Sequence, residues 1–409
     1  MLFLYNLVIS IAGFFLKIIA LFSPKIKLFM EGRKNVFAIL EEKIKPSDKT
    51  IWFHSASLGE YEQGLPVIEK IKEKHPSHKI IVTFFSPSGY EVRKNNTVAD
   101  VTVYLPLDTK KNAKRFLKLV HPELVFFIKY EFWLNYLKEL QTNKTPVYLI
   151  SGIFRDSQMF FKWYGGFYRK ALETFTYFFV QNQSSKEKIE AIGFHNIIVS
   201  GDTRFDRVNA ILERDNSLDF IENFKNNQIT IIIGSSWSKD EALLINYINQ
   251  ASENIKFIIA PHNIKTDQIL NLKSQITKST LLFSEKENKN PADYTVFIID
   301  TVGLLTKIYS YGTIAYVGGG FGNPGIHNIL EPAAFGIPIV IGPNYSNFAE
   351  ATELVNLGGC MVISSQEELK QTFDQLITDQ IFLKEKGQIC KSYIQDNKGA
   401  ANRIMTVIS

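Results

Sequence analysis

An α/β fold of two Rossmann-like halves with a cleft between them is what this 409-residue sequence predicts. Three observations point there. Short runs rich in β-branched and aromatic residues alternate with helical stretches, and the runs are apolar on both faces, as strands of a parallel sheet covered by helices must be. They fall into two series, separated by the polar stretch from Asp206 to Asn227. The chain is also long for one core, since ordinary domain sizes suggest two domains of roughly 150 to 200 residues plus an extension.

The first series starts at Thr50-Ile51-Trp52-Phe53 and continues with strands over Lys79 to Phe85, Val101 to Leu105, Leu124 to Ile128, Pro146 to Ile150, Tyr177 to Gln181 and Ile197 to Ser200. Helical stretches intervene, among them Gly64 to Lys74 and Lys110 to Val120. The second series places strands at Ile229 to Ile233, Ile255 to Ala260, Thr295 to Ile299, Thr313 to Val317 and Ile337 to Ile341. The division expected is residues 1–30 as a membrane anchor helix, 31–205 as one Rossmann-like domain and 206–409 as the other.

The N-terminus is apolar from Leu2 to Phe22 apart from Asn6, Ser10 and Lys17. As a helix this stretch would be about 31 Å long, close to the thickness of a bilayer core. A cleaved signal peptide carries its basic residues before the apolar run, whereas Lys25, Lys27, Arg33, Lys34, Lys43 and Lys45 follow it here, as Lys17 sits within it. That arrangement suits anionic lipid and leaves the rest of the chain on the cytoplasmic side. Lys17 leaves two dispositions open: a span, or an interfacial helix that snorkels the ammonium to the headgroups.

A net charge of +5 without a dense basic stripe argues against nucleic acid as a partner. Two cysteines, Cys360 and Cys390, make neither a disulfide framework nor a metal cluster and fit a reducing compartment. No Asp-x-Asp pair or His-Glu-x-x-His occurs, so no metal site is expected.

Chemistry can reside in two places. In "HSASLGEYEQG", His54 to Gly64, a carboxylate follows the first strand on a turn lined with small residues. Ser57 and Glu60 have the spacing of a capping box. Glu60 also stands at the carboxyl end of a parallel strand, where open α/β sheets bind ligands and where it could act as a base. In the second half, "TIAYVGGGFGNPGIHNILEPAAFGIPIVIGP" runs from a strand through Gly318, Gly319, Gly320, Gly322 and Gly325 into a helix expected near His327. Glycines allow close backbone approach, and a helix start favours phosphate. A dinucleotide fold would need an acid at the end of the next strand, but that strand ends "IVIGPN". Glu331, three residues past Asn328, could reach a ribose diol instead. No Gly-Lys-Ser/Thr follows the glycines, which excludes a Walker loop. Basic groups that could assist a phosphate leaving group are Arg204 in "GDTRFD", Lys239 after "GSSWS" and His262 in "IIAPHN".

These motifs, with "FFSPSGYE", "KYEFW", "SGIFRDS" and "DTVGLL", stand in an order that resembles the 3-deoxy-D-manno-octulosonic acid (Kdo) transferases of lipopolysaccharide synthesis, over essentially the whole chain. The resemblance implies a two-domain GT-B glycosyltransferase moving Kdo from CMP-Kdo onto a lipid A precursor, lipid IVA, at the cytoplasmic face of the inner membrane, with no further cofactor. It implies Glu60 as general base and Glu131 and Arg204 as transition-state supports. CMP contacts would fall on Pro261, His262, Val302, Gly303, Leu304, Asn328, Ile329, Leu330 and Glu331. His262 and Leu304 stand where the family commonly has Arg and Glu, so backbone contacts to the cytidylate are expected there. Arg204 replaces a Lys, keeping the charge but not the shape. The rival readings are another GT-B enzyme that uses a UDP-sugar, either a transferase or an epimerase, an oxidoreductase, and a non-catalytic membrane scaffold.

Overall fold

The computed structural model describes residues 2–323 and 325–408; Met1, Pro324 of the glycine-rich loop and Ser409 lie outside the described residues. The chain divides into two compact units, Met1–Arg207 with Lys398–Ser409, and Val208–Asn397. Each holds one seven-stranded sheet, and every strand pair is parallel. This is the GT-B-like α/β architecture, two Rossmann-like sheets in one chain.

In unit 1 the strands are β1 (Lys49–Ser55), β2 (His78–Phe84), β3 (Val101–Tyr104), β4 (Leu124–Ile128), β5 (Val147–Gly152), β6 (Tyr177–Val180) and β7 (Ile197–Val199). Their spatial order is β3-β2-β1-β4-β5-β6-β7. In β1 every residue after Lys49 is buried, because successive side chains enter opposite apolar layers. Trp52 packs against Phe116, Phe127 and Tyr136 on one face, while Phe53 stacks on Phe126 at 4.5 Å on the other.

Unit 2 contains β8 (Ile229–Ser236), β9 (Ile255–Pro261), β10 (Thr280–Leu282), β11 (Val296–Ile298), β12 (Ile314–Val317), β13 (Ile339–Ile341) and β14 (Cys360–Val362), ordered β10-β11-β9-β8-β12-β13-β14. Alternation again splits the isoleucines of β8: Ile231 and Ile233 join one core layer with Leu244 and Phe373, and Ile232 joins the other with Ile221 and Phe224. In each sheet the chain reverses its direction of travel once, beside β1 and β4 in unit 1 and beside β8 and β12 in unit 2. Ligands of such sheets bind outside the strand ends at that point.

Three expectations need correction. The N-terminal helix ends at Ile19, not Phe22, so its 18 residues reach about 27 Å, and no helix among the described residues is long and apolar enough to cross a membrane. Residues 206–409 are not all one domain: the helix Ala400–Met405 buries Ala401 and Ile404, with Ile408 after them, in the core of unit 1. The stretch from Asp206 to Asn227 does hold the boundary, between Arg207 and Val208, and its helix Asp219–Lys225 buries Ile221 and Phe224 in unit 2. Arg33 is not part of a lipid-facing basic cluster, because its guanidinium donates to the carbonyls of Phe29, Phe85 and Leu105 and lies 3.6 Å over the Phe29 ring.

Candidate active site and nucleotide site

In unit 1 the turn after β1 and the turn after β4 are neighbours, because the strands pair directly. The helix after β1 starts at Leu58, six residues earlier than its apolar pattern alone indicates, and Ser57 is its N-cap. Glu60 therefore occupies the third helical position and is buried, 6 % exposed. Its Oε2 accepts from the Ala56 N–H at 2.5 Å. The capping box is only half formed: the carboxylate reaches back to the backbone, but the Ser57 hydroxyl makes no cap bond.

Burial, then the nearby Glu131 charge, push the Glu60 carboxyl up to about 7, against the opposing pull of the Ala56 N–H and Lys129. A carboxylate with that affinity for protons is suited to taking a proton near neutral pH. Glu131 stands three residues past the end of β4, with its Oε2 3.6 Å from His54 Nε2. That approach is not an ion pair. His54 is fully buried and its Nε2 accepts from the Trp133 indole N–H at 2.9 Å, which places the ring proton on Nδ1, toward Thr83 Oγ1 at 2.8 Å. His54 thus braces Trp133 and the turn that carries Glu131.

The motif "KYEFW" holds a residue that sequence reasoning passed over. Lys129 is half-buried and has left-handed backbone, φ 70°, on the last turn of β4, held by its N–H to the Ile150 carbonyl at 2.9 Å. Ser151, in the neighbouring strand β5, has φ 52°. Left-handed backbone costs a non-glycine residue on the order of 1 to 2 kcal/mol, and two such residues stand at these adjacent strand ends. Burial lowers the Lys129 pKa, while the charge of Glu60 opposes this. The sequence signal was a Lys immediately after an apolar strand.

Arg204 and Asp202 lie at the end of β7. The Asp202 carboxylate accepts from Arg204 Nε at 2.8 Å and from its terminal nitrogen at 2.7 Å, and also from Gln63 Nε2 at 2.8 Å. Gln63 sits on the Glu60 helix, so the pair is tied to that helix, and Lys129 lies within the field of both Arg204 and Asp202. The structure therefore brings Glu60, Glu131 and Arg204 into one neighbourhood and adds Lys129, Asp202 and Gln63.

In unit 2 the ends of β8, β9 and β12 converge. Trp237 follows β8, His262 follows β9, and the glycine-rich loop follows β12. The His262 ring stacks on Trp237, centroids 4.4 Å apart, and on His327, 4.5 Å apart, while Trp237 and His327 lie side by side with centroids 6.2 Å apart. The Trp237 indole donates to His327 Nε2 at 2.8 Å. Burial lowers the pKa of both histidines, which favours neutral rings. Beneath them is Asp240, another residue missed in the sequence. Its fully buried carboxylate accepts from the Gly319 N–H at 2.8 Å, the Trp237 N–H at 3.0 Å and the Tyr316 hydroxyl at 2.8 Å. Three donors satisfy the charge and clamp the glycine-rich loop to the start of the helix Ser238–Gln250. Only its place inside "SWSKDE", as a third-position acid, hinted at that work.

The helix after the glycine-rich loop starts at Leu330, not near His327, and runs only to Ala334. The glycines serve mainly the protein itself. A Cβ on Gly318 would lie 2.4 Å from the Ser235 carbonyl oxygen, and one on Gly320 would lie 2.7 Å from Gly342 Cα. Asn328 Nδ2 donates to Glu331 at 3.0 Å, and the Thr306 hydroxyl reaches the other Glu331 oxygen at 2.8 Å. Glu331 is thereby aimed beside the turn of Val302, Gly303 and Leu304, where Val302 is 77 % exposed and Gly303 has φ 89°. Pro261 ends β9 next to His262, and Ile329 and Leu330 are buried behind Asn328. Lys239 is exposed on the helix after Trp237. Among the described residues, no three His, Cys, Asp or Glu side chains gather as metal ligands do.

Residues 31–207 match the family described as 3-deoxy-D-manno-octulosonic-acid transferase (kdotransferase), ending where the first segment of unit 1 ends. The chain is 26 % identical over 345 residues to the 3-deoxy-D-manno-octulosonic acid transferase of Aquifex aeolicus, covering 83 % of this chain and 89 % of that one. The enzyme of the same name from Haemophilus influenzae is 26 % identical over 383 residues, covering 89 % and 87 %. Among solved structures, UDP-GlcNAc 2-epimerase from Neisseria meningitidis superposes with a TM-score of 0.61 at 16 % identity, covering 88 % of this chain and 99 % of that one. That likeness concerns fold alone. Through its family match and its curated relatives, the chain is a relative of the Kdo transferases and an enzyme of the glycosyltransferase class.

Proposed function

We propose that this chain transfers Kdo from CMP-Kdo to a glucosamine hydroxyl of a lipid A precursor, lipid IVA, in lipopolysaccharide core synthesis, with inversion at the anomeric carbon and without a metal or other cofactor. The observation that carries the reading is the buried Glu60 carboxylate, pushed up to about 7, at the switch point of the first sheet. Glu60 takes the acceptor proton as the hydroxyl oxygen attacks C2 of Kdo, and the bond from C2 to the phosphate oxygen breaks with its electron pair leaving on CMP. Glu131 keeps the Glu60 proton affinity high and supports positive charge developing on the sugar. Arg204, aligned by Asp202, meets the growing phosphate charge.

Pro261, His262, the turn Val302 to Leu304, and Asn328 to Glu331 form the nucleotide surface. The Trp237–His262–His327 stack offers the cytosine a flat neutral face, and Glu331 faces the ribose. Because the helix at Leu330 is short, the phosphate role expected of a helix start near His327 passes to backbone N–H groups. The enzyme works at the cytoplasmic face of the inner membrane, where its acceptor resides.

Incubation with CMP-Kdo and lipid IVA, followed by mass spectrometry of the lipid, tests this. A Kdo adduct that is lost in Glu60→Gln, with CMP binding retained, is the expected result. An unchanged lipid refutes the proposed function, and wild-type turnover of the variant refutes the base. The UDP-sugar alternative rests on fold likeness only, and calorimetry showing UDP bound more tightly than CMP would favour it.

A further inference from the structure

A half-buried ammonium ordinarily has oxygens around it, because lost hydration penalises a bare charge. Lys129 lacks them. Among the described residues its Nζ makes no hydrogen bond and no ion pair, although the charges of Glu60 and Asp202 act on it, and it lies 5.8 Å from the centroid of the Tyr130 ring. The backbone beneath it is firmly held. The Lys129 N–H donates to the Ile150 carbonyl, and the next residue, Ser151, is fully buried. Its hydroxyl donates to Thr203 Oγ1 at 2.6 Å, and the Thr203 hydroxyl donates in turn to the Gln63 carbonyl. One network thereby joins the end of β5, the Glu60 helix and the residue before Arg204, and Lys129 stands on that frame.

Two more groups at these strand ends have no partner among the described residues. Arg155, exposed three residues past β5 in "SGIFRDS", is tied through its backbone N–H to Gln158 at 2.9 Å, but its guanidinium makes no hydrogen bond or ion pair. Its charge nevertheless reaches Lys129, which it repels, and Tyr130. Ser55, the last residue of β1, is 1 % exposed and its hydroxyl is unbonded. β1 and β4 pair His54 with Phe127, so Ser55 stands one residue beyond that pair and Lys129 two. Arg204 differs from the other two cations in being matched by Asp202. Two repelling cations without acids of their own, beside an orphaned hydroxyl, are the complement of a small oxyanion.

We propose that Lys129, with Arg155 and the Ser55 hydroxyl, holds the carboxylate of the sugar being transferred. This rests on the Kdo transfer proposed above and assigns the group that recognises the sugar acid. The CMP phosphate falls to Arg204 and backbone N–H groups, and a phosphate on the lipid acceptor is separated from the attacking oxygen by several bonds. The Kdo carboxylate is bonded directly to C2, the carbon under attack, so it must lie beside the base. Lys129 is the cation whose charge acts on Glu60. Holding the carboxylate fixes C2 against the acceptor oxygen. A neutral hexose would leave Lys129 and Arg155 unmatched, so the same pair selects a sugar acid over the neutral sugars of the UDP alternative.

The test is calorimetry of CMP-Kdo and of CMP on the full chain carrying Glu60→Gln, where neither transfer nor titration of the base intervenes. Adding Lys129→Met should weaken CMP-Kdo about tenfold and leave CMP unchanged, because CMP lacks the carboxylate. Lys129→Arg, which keeps the charge, should retain most of the affinity, and Arg155→Gln should weaken CMP-Kdo less than Lys129→Met does. The melting temperature of Lys129→Met should not fall, since the charge removed has no partner. Equal losses for CMP and CMP-Kdo, no loss for either, or weakened lipid IVA binding with CMP-Kdo unaffected would overturn the proposal. Failure of the transfer reading looks different: the wild type then yields no Kdo adduct, whereas a working wild type with unchanged CMP-Kdo binding in Lys129→Met removes this assignment alone.

Discussion

The two sheets share a topology around their switch points yet present opposite chemistry there. Beside β1 and β4, unit 1 gathers Glu60, Glu131, Lys129 and the Asp202–Arg204 pair, and its central carboxyl is pushed up to about 7. Beside β8 and β12, unit 2 holds the fully buried Asp240 with three donors, and above it two histidines whose pKa values are lowered, stacked with Trp237. An under-satisfied charge is chemically poised, whereas a fully satisfied one is architecture. The first site is equipped to move a proton and the second to hold a flat, neutral group.

Breaking the contrast at its strongest point, Glu60→Gln should lower transfer by roughly three orders of magnitude, read as kcat with CMP-Kdo. The same variant should not lose stability at pH 8. The folded pKa of Glu60 lies above the ordinary value of 4.5, so ionisation as pH rises from about 4.5 toward 7 costs the wild type stability that Gln does not lose. A lower melting temperature for the variant at pH 8 would contradict the burial argument. In unit 2 the structural charge should behave oppositely. Asp240→Ala, which leaves three buried donors unpaired, should cost about 3 kcal/mol in denaturant unfolding, and a loss under 1 kcal/mol would show that the clamp is idle.

Under the proposed function Trp237→Ala should weaken CMP about tenfold in calorimetry with little change in the pH profile, because the stack is then a recognition face rather than a proton-transfer group. Glu131→Gln sharpens the comparison. Removing that charge should move the rising limb of kcat/KM below its wild-type midpoint near 7, whereas Lys129→Met should move it up. Midpoints that stay together in both variants would mean that these charges do not reach the base. The smallest effect belongs to Ser57→Ala. Its hydroxyl makes no cap bond, so thermal unfolding should show a change of less than about 0.5 kcal/mol, where a working N-cap is worth about 1.

Twelve of the fourteen strands were legible in the sequence, because a strand apolar on both faces leaves an unbroken β-branched run. The two that were not, β10 (Thr280–Leu282) and β14 (Cys360–Val362), are three-residue edges with too little pattern to separate from loop. Glu60 and Arg204 were found through motifs. Lys129 and Asp240 were not, since nothing in "KYEFW" reveals a left-handed backbone and nothing in "SWSKDE" reveals three converging donors.

Alone, then, the sequence determined the alternation of strands and helices, the two series, and the position of a carboxylate after the first strand, because these follow from periodicities of a few residues. Where the N-terminal helix lies, where the glycine-loop helix starts, which unit holds the last helix and what proton affinity Glu60 has were decided only by tertiary structure. Each depends on burial and on partners tens to hundreds of residues away, such as Asp108 for Tyr5 and Glu131 for Glu60, whose contributions no local pattern encodes.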